Sequence, residues 1–222
     1  MSDLQVKIQQ KSAPQMAEDN AKRRQIIEGA RKAFLDQGFD AASMNDIARI
    51  AGVSKGTLYV YFQNKEQLFE AICSEECKSQ AESLFDFDRD DRDVEGTLTR
   101  IGIDFVTLVC RPEKASSART VIAIAERIPE IGRAYYETGP ARGIALLSDY
   151  LKNKVQQGIL AIDDCEVVAA QLIEALLAPL FKPILFNFGK PPTQERIGYV
   201  VGIAVRAFLA AYKVHKSTGR GV

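Results

Sequence analysis

Residues 43–62 carry the feature that most constrains the fold, a pattern typical of two short helices joined by a tight turn. Ser43 with Asp46 three residues later has the spacing of a capping box, so a helix should begin there. Gly52 follows at a position where a residue with positive φ commonly ends a helix. Ser54 can then cap a second helix.

The second of these helices should bury one face and leave its other faces free. Leu58 and Phe62 are one helical turn apart, so both can anchor the helix to a core. Six residues share the remaining faces: Lys55, Gly56, Thr57, Tyr59, Val60 and Tyr61. A short helix with an exposed, donor-rich N-terminus has the geometry that enters a DNA major groove. The pattern therefore indicates a DNA-binding unit.

The stretch from Phe34 to Phe69 resembles the DNA-binding domain of TetR-type (tetracycline-repressor-like) regulators. The matching positions are Gly38-Phe39, Ile47-Ala48, Ala51-Gly52-Val53-Ser54, Gly56-Thr57-Leu58-Tyr59, Tyr61-Phe62, Lys65 and Leu68-Phe69. The resemblance implies an all-α fold with an N-terminal three-helix helix-turn-helix domain and a C-terminal helical domain for ligand binding and dimerisation. It also implies a regulator, most often a repressor, that binds a palindromic operator as a dimer and is released by a small-molecule effector.

The resemblance and the helix geometry together predict nine DNA-contacting residues: Ser43, Ser54, Lys55, Gly56, Thr57, Tyr59, Val60, Tyr61 and Lys65. Lys55 can reach a guanine edge or a phosphate, and Val60 can pack on a thymine methyl. Gly56 allows the backbone to approach closely. Tyr61 and Lys65 resemble phosphate contacts of the family. Packing within the domain is the alternative for the tyrosines.

Charge distribution supports a locally basic DNA-binding unit, although the formal net charge of the chain is +0. Residues 20–65 hold eight Lys or Arg against four acids, whereas residues 66–95 hold three against eleven. The alternative is that both stretches are solvated helix faces, and for the acidic run this alternative is preferred. No signal peptide or uncharged apolar run of membrane-spanning length is visible, so we expect a cytoplasmic protein.

Helical periodicity predicts a disordered arm at residues 1–17 and helices thereafter. With the resemblance, which implies the roles of the domains, it divides the rest into a helix-turn-helix domain at 18–66 and an effector-binding and dimerisation domain at 67–222. A first helix should begin near Glu18, and a linking helix should run from Lys65 to about residue 85. Further helices are predicted at residues 94–109, 113–127, 129–157, 163–188 and 193–215, the third weakened around 141–143. No segment alternates long enough to predict a strand.

The last two predicted helices, residues 163–188 and 193–215, are apolar on more than one face. Such helices must be buried on nearly all sides. Pairing with the same helices of a second copy satisfies this requirement, and the resemblance also implies a homodimer. The alternative is that these helices form the core of a monomer.

A small-molecule effector pocket is expected from the resemblance, and the candidate lining residues are aromatic, apolar or basic: Phe105, Leu108, Ile124, Arg127, Tyr135, Tyr136, Leu176 and Phe181. Ordinary core packing is the alternative for the apolar members, and a surface position for Arg127. No phosphate-binding glycine loop or metal-ligand cluster is evident, so no cofactor or metal is expected. Cys73 and Cys77 are one helical turn apart, a spacing that could share a metal ion or respond to oxidants. Buried cysteine is usually just a small apolar residue, so neither role is expected.

Two competing functions remain open at this level. The chain could be a helical small-molecule-binding enzyme with an incidental helix-turn-helix, but its one histidine, His215, makes a Ser–His or Cys–His catalytic set improbable. It could also be an adaptor that uses the helix-turn-helix for protein contacts. The excess of basic residues at positions 20–65 argues mildly against an adaptor. We expect a regulator and no enzymatic activity.

Overall fold

The computed structural model of the protein describes residues 13–84, 88 and 91–214, with the backbone alone at residues 13–15 and 76–83. The helices are α1 (Ala13–Gln37), α2 (Met44–Ala51), α3 (Lys55–Tyr61), α4 (Lys65–Leu84), α5 (Val94–Val109), α6 (Pro112–Ala125), α7 (Pro129–Thr138), α8 (Pro140–Gln156), α9 (Cys165–Leu177), α10 (Phe181–Leu185) and α11 (Gln194–Tyr212). These described residues contain no strand, and an isolated antiparallel bridge joins Leu160 to Lys213. The predicted all-α fold is confirmed.

The chain divides into two compact units, one ending at Ile72 and the other beginning at Cys73. The first unit contains α1, α2, α3 and the beginning of α4. The second unit contains the remainder of α4 and the helices from α5 to α11. The division therefore falls within α4.

The first unit is built on an apolar core to which each of its helices contributes. The core residues are Ile26, Ile27, Ala30, Ala33, Ala42, Ile47, Ala48, Leu58, Phe62, Leu68, Ala71 and Ile72. The rings of Phe34, Phe39 and Phe69 pack against one another, with centroids 5.2–5.7 Å apart. This packing holds α2 and α3 in place against α1 and α4.

Gly29 allows α1 to cross close to the end of α2. A Cβ atom added at Gly29 would lie 2.5 Å from the Cβ of Ala51 and 2.6 Å from its Cα. Glycine lowers helix propensity, but at this position no larger residue fits without moving the backbone of α2. Close backbone packing therefore determines the residue here.

The second unit has its own core, formed chiefly by α5, α8, α9 and α11. Its buried residues include Leu98, Val106, Leu147, Leu151, Ala169, Leu172, Ile197, Val201 and Phe208. The thiol of Cys110 is also buried here, and desolvation raises its pKa to about 11. A thiol with that pKa is protonated at neutral pH and reacts slowly.

A polar cluster lies inside the second unit around the fully buried Lys154. Its Nζ donates hydrogen bonds to the backbone oxygen of Asp91 and to Oε1 of Gln157, and it lies 5.1 Å from the ring centroid of Tyr150. The carboxylate of Asp91 accepts a hydrogen bond from Thr97. Burial raises the pKa of Tyr150 to about 12, so its phenol stays neutral. These contacts fasten the segment before α5 to α8.

Several predicted helix boundaries are wrong. α1 begins at Ala13 rather than near Glu18, so residues 13–17 of the predicted arm are helical. Pro14 lies in the first turn, where the missing amide proton has no intrahelical partner to lose. The rest of the predicted arm, residues 1–12, lies outside the described residues, as do His215 and the side chain of Cys77.

Two predicted helices are each divided by a proline. The predicted helix 129–157 breaks at Gly139–Pro140, ahead of the weak point expected at 141–143, because proline disfavours a helical conformation in the residue before it. The predicted helix 163–188 becomes α9 and α10, separated by a turn that contains Pro179. The lost amide donor and the ring of that proline account for the break.

No helix in the described part of the chain combines the length and the apolarity needed to cross a membrane.

Replacing Gly29 with alanine tests the close approach of α1 and α2. We expect Gly29→Ala to lower the free energy of unfolding by about 1–3 kcal/mol through overpacking. This loss should occur although alanine is intrinsically favoured in a helix by about 1 kcal/mol. Urea-induced unfolding followed by circular dichroism measures the change.

Gly56→Ala is the matched control, since a Cβ there would come no closer than 3.8 Å, to Oγ of Ser54. We expect that variant to be as stable as the wild type or up to about 1 kcal/mol more stable. Equal effects of the two substitutions would contradict the packing argument.

Candidate nucleic-acid interface

α2 is fixed by local caps at both of its ends. Ser43 Oγ accepts a hydrogen bond from the Asp46 amide at 3.2 Å, and the Asp46 carboxylate accepts one from the Ser43 amide at 3.4 Å. The hydrogen bond from Ser43 to this carboxylate is the main cause that lowers the pKa of Asp46. Gly52 ends α2 with φ +66°, in the left-handed region. The predicted capping box and glycine cap are confirmed.

α3 is a seven-residue helix that begins at a serine cap. Ser54 Oγ accepts a hydrogen bond from the Thr57 amide at 3.0 Å and lies 2.8 Å from Thr57 Oγ1. The Thr57 amide is used by the cap, and the hydrogen bond between the two hydroxyl groups uses one of their two protons. One hydroxyl proton of the pair is therefore left to donate to a partner. Seven residues do not form a stable helix alone, so α3 depends on this cap and on packing.

Burial separates the inner and outer faces of α3 clearly. Leu58 is 0% exposed and Phe62 is 5% exposed, as their spacing predicted. On the outer face, Tyr59 is 44% exposed and Val60 is 81% exposed. A β-branched apolar side chain that projects into solvent from a short helix adds no stability to the core. The exposed face is therefore available to a partner.

Lys55 and Gly56 lie exposed at the leading end of that outer face. The Lys55 ammonium lies 6.0 Å from the centroid of the Tyr59 ring, at the outer limit of a cation–π contact. Among the described residues Lys55 forms no ion pair, and a Cβ added at Gly56 would come no closer than 3.8 Å, to Oγ of Ser54. This end of α3 is thus cationic and unobstructed.

Tyr61 makes a contact that its sequence position did not indicate. Its hydroxyl donates a hydrogen bond to Oδ1 of Asp19 in α1, at 2.5 Å. This hydrogen bond is also the main cause that raises the pKa of Tyr61. The phenolic proton points to the carboxylate, so in this structure Tyr61 ties α3 to α1 and has no proton to offer a phosphate.

Lys65 is half-buried and points towards the segment between α1 and α2. Its ammonium donates hydrogen bonds to the backbone oxygens of Phe39, Asp40 and Ala42, at 2.8, 2.9 and 3.4 Å. It also lies 4.7 Å from the centroid of the Phe39 ring. All three ammonium protons have acceptors within the protein. Lys65 therefore holds in place the segment that leads into α2.

Two residues of α1 support the site although sequence analysis did not select them. Gln25 Nε2 donates a hydrogen bond to the Ala51 oxygen at 2.8 Å, which satisfies a carbonyl at the end of α2. Asp19 anchors Tyr61 as described above. Both partners lie far away in the sequence, 26 and 42 residues respectively, so no local pattern could have identified them.

The predicted effector-pocket residues occupy varied environments in the second unit. Ile124 and Leu176 are buried in the core, and Phe105 and Phe181 pack against it partly buried. Arg127 and Tyr136 are exposed, whereas Leu108 and Tyr135 are partly buried. A groove of about 260 Å³ is lined by Tyr136 together with Ala141, Ile144, Ala145, Ser148, Asp149, Lys152 and Glu166. None of the other seven predicted pocket residues lines it.

These features define the class of protein. Two short capped helices, an outward-facing cationic helix end and a separate helical unit are the parts of a helix-turn-helix DNA-binding protein. Among the described residues, no group of three or more His, Cys, Asp or Glu side chains is arranged to hold a metal ion.

Comparison with known families identifies both units. Residues 26–72 match the bacterial regulatory proteins of the tetR family. Residues 96–214 match the C-terminal domain of the AefR-like transcriptional repressors. The chain belongs to the TetR family, with an AefR-like C-terminal domain. It is therefore a DNA-binding transcriptional regulator, and the family consists of regulators and not of enzymes.

Three individual proteins are similar to this chain over most of its length. The HTH-type transcriptional regulator YhgD of Bacillus subtilis is 27% identical over 174 residues, which are 77% of this chain and 86% of YhgD. The crystal structure of a TetR-family transcriptional regulator from Mesorhizobium loti is 29% identical with a TM-score of 0.82, and the match covers 88% of this chain and 98% of that one. The flavonoid-responsive regulator FrrA is 28% identical with a TM-score of 0.75, covering 89% and 100% of the two chains.

Replacing Lys65 with methionine tests its contacts with the segment before α2. We expect Lys65→Met to lower the free energy of unfolding by about 1–3 kcal/mol, because carbonyl groups lose a charged donor while the apolar stem is kept. Urea-induced unfolding measures this change. Lys55→Met is the matched control and should change stability by no more than about 0.5 kcal/mol.

The same Lys65 variant separates a structural role from the phosphate contact that the family resemblance implies. If Lys65 also neutralises a phosphate, the slope of log affinity for DNA against log salt becomes flatter by about 1. Unchanged stability of Lys65→Met would contradict the structural role, whatever the slope.

Proposed function

We propose that this protein is a homodimeric repressor that binds a roughly palindromic operator and is released by a small-molecule effector. Two copies of α3 related by a two-fold axis would read two half-sites about one helical turn or a multiple of it apart. Because the partner is genomic DNA, we infer a cytoplasmic location.

The observation that carries the DNA-reading part of the proposal is the division of α3 into a buried anchor and an exposed face. Leu58 fixes the helix, and Lys55, Tyr59 and Val60 project from it. In the proposal Lys55 contacts a guanine edge or a phosphate, and Val60 packs on a thymine methyl. Gly56 lets the backbone approach the groove closely, since it places no side chain there.

Phosphate contacts in the proposal come from the ends of the two short helices. Ser43 and Ser54 each cap a helix whose N-terminal dipole favours a nearby anion. The Thr57 hydroxyl is close enough to the leading end of α3 to join them. Tyr61 and Lys65 would contact phosphate only if their present hydrogen bonds rearrange, so we assign them first to the support of α3 and α2.

The exposed apolar residues of the last helices support a homodimer. Val167 of α9 is 50% exposed, and Tyr199 and Ile203 of α11 are 60% and 44% exposed. After α10, Phe186 and Phe188 are 79% and 80% exposed. Tyr199 and Ile203 are one turn apart on the same face of α11, and a contiguous exposed apolar surface is typical of protein interfaces. The proposed interface is therefore α9 to α11, within residues 163–188 and 193–215.

Effector release requires only that a ligand binds better to the dimer in a form that does not fit the operator. A coupling of about 1–3 kcal/mol would weaken operator binding 5–150-fold. Similarity to FrrA, which is described as flavonoid-responsive, supports a small-molecule effector. The eight pocket residues predicted from the sequence stay a prediction.

Replacing Lys55 with alanine tests the base-reading role of α3. We expect Lys55→Ala to weaken operator binding and to relax base preference at one position per half-site, by about 1–3 kcal/mol. Binding of the variant to operators substituted at each position measures both effects. Lys152→Ala, at an exposed lysine of α8 outside the proposed interface, is the control and should bind like the wild type. A uniform loss across all sequences would assign Lys55 to phosphate, and no loss would remove it from the interface.

Replacing Ile203 with aspartate tests the proposed dimer interface. A carboxylate buried between two copies lacks a partner, so we expect Ile203→Asp to yield monomers and to weaken operator binding by about tenfold or more. Analytical ultracentrifugation measures the oligomeric state. Ile122→Asp, on α6 at a residue 63% exposed, is the matched control and should stay dimeric. A dimeric Ile203→Asp protein would contradict the interface.

A further inference from the structure

The first unit anchors α3 along a single line of buried side chains. Leu58 and Phe62 are one helical turn apart, and both lie in the core of that unit. Two anchors on one line hold a helix against sliding along its axis better than against rotation about that line. A further contact to one side of the line is needed to fix the rotation of α3.

The rotation of α3 decides where its exposed side chains point. At about 100° per residue, Val60 lies about 160° from Leu58 around the helix axis, so the two side chains leave the helix on opposite sides. A binding site keeps its productive geometry only when its side chains are held within about 10–20°. A small rotation about the buried anchors would therefore move Val60 and Lys55 away from the base edges that they are proposed to contact.

Tyr61 provides a contact to one side of the anchors. Its side chain leaves α3 about 60° from that of Leu58, and its ring packs partly buried against the core. Its hydroxyl donates a hydrogen bond to Oδ1 of Asp19 at 2.5 Å. A hydroxyl that donates to a carboxylate at this distance forms a charge-assisted hydrogen bond, which is stronger and more directional than a neutral one.

The carboxylate that accepts this hydrogen bond lies on a well-supported helix. α1 packs Ile26 and Ile27 into the core, and Asp19 lies two turns before them. One turn after Asp19, the guanidinium of Arg23 lies 5.4 Å from the centroid of the Phe62 ring. Successive turns of α1 therefore contact the C-terminal end of α3, opposite to the end where Lys55 begins the helix.

We propose that Asp19 is a positioning residue for DNA reading, which fixes the rotation of α3 through the hydroxyl of Tyr61. Asp19 itself contacts no DNA in this proposal. A carboxylate in a DNA-binding unit repels phosphates, so its charge alone would oppose binding. Non-specific binding depends mainly on charge, whereas discrimination between sequences depends on side chains placed against the bases. Loss of the hydrogen bond should therefore lower discrimination rather than general affinity for DNA.

The ratio of two DNA affinities of the full-length protein tests the proposal. One fragment is an operator selected by the protein from random DNA, and the other is a shuffled fragment of the same length and composition. Fluorescence anisotropy measures both affinities at one salt concentration. We expect Tyr61→Phe and Asp19→Ala each to lower the ratio about fivefold or more. A wild-type ratio in either variant would overturn the proposal. Partial unfolding does not affect the ratio, because inactive protein lowers both apparent affinities alike.

A double-mutant cycle shows whether the two residues act through one contact. The variant that combines Tyr61→Phe with Asp19→Ala should discriminate no worse than either single variant, because each substitution removes the same hydrogen bond. Additive losses would overturn the proposal. A direct contact between Tyr61 and phosphate gives another result that would overturn it: Tyr61→Phe then weakens binding to both fragments alike, and Asp19→Ala does not reproduce the loss.

Asp19→Asn separates the hydrogen bond from the charge. Asparagine keeps an oxygen that can accept from the Tyr61 hydroxyl, but it lacks the negative charge. We expect Asp19→Asn to discriminate at least about twofold better than Asp19→Ala, although both variants lose the same charge. Equal losses in the two variants would overturn the role of the hydrogen bond.

Glu18 offers a matched control in the same turn of α1. It is exposed, and it acts on Tyr61 through its charge alone. We expect Glu18→Ala to leave the ratio unchanged, because removal of a nearby negative charge affects both fragments alike. A loss of discrimination as large as that of Asp19→Ala would overturn the proposal.

This proposal rests on the proposed function, in which α3 reads the operator, and the two can fail separately. If the wild-type protein itself does not discriminate between the fragments, operator reading by α3 is contradicted, and the role of Asp19 with it. If the wild type discriminates and the Asp19 and Tyr61 variants do so equally well, only the role of Asp19 is contradicted.

Discussion

The burial of Leu58 is the contact on which the DNA-binding surface depends. α3 has seven residues, too few to remain helical without support, and Leu58 inserts fully into the core of the first unit. Full burial of a leucine contributes about 1.5–3 kcal/mol, which is larger than the contribution of a single serine cap. Because one side of α3 is fixed in this way, the opposite side can project Lys55 and Val60 without contributing to stability.

Contacts from α1 complete this support. Tyr61 bonds to Asp19, Gln25 bonds to the end of α2, and Arg23 lies 5.4 Å from the centroid of the Phe62 ring. Because of these contacts, the orientation of α3 depends on the packing of the whole first unit. Residues on the outer face are then free to differ according to the DNA sequence to be read, while residues on the inner face are constrained by packing.

Local signals account for what could be predicted from the sequence. The cap at Ser43, the positive φ at Gly52 and the inner positions of Leu58 and Phe62 each depend on neighbours within a few residues. The helical nature of the second unit followed from periodicity in the same way. Tyr199 and Ile203 of α11 are exposed in the single chain. Burial of α11 on nearly all sides, as its apolar pattern predicts, therefore depends on the proposed second copy.

Long-range contacts account for what could not be predicted. The hydrogen bonds of Lys65 span 23–26 residues, and the Tyr61 hydrogen bond spans 42. No spacing rule connects such pairs, so these internal hydrogen bonds could not be predicted. The phosphate contacts of Tyr61 and Lys65 were expected from the family resemblance and stay predictions. Breaks at Gly139–Pro140 and near Pro179 were missed for a different reason, because apolar periodicity continues across them.

The most direct test of this account is hydrogen–deuterium exchange of the full-length protein with and without an operator fragment selected by the protein from random DNA. We predict that DNA slows amide exchange at residues 43–46, where α2 begins, and at residues 54–62, which comprise α3 and its caps. Exchange in α6 should stay unchanged. Protection confined to the second unit, or no protection of α3 at DNA concentrations that saturate binding, would contradict the claim that α3 is the surface that reads DNA.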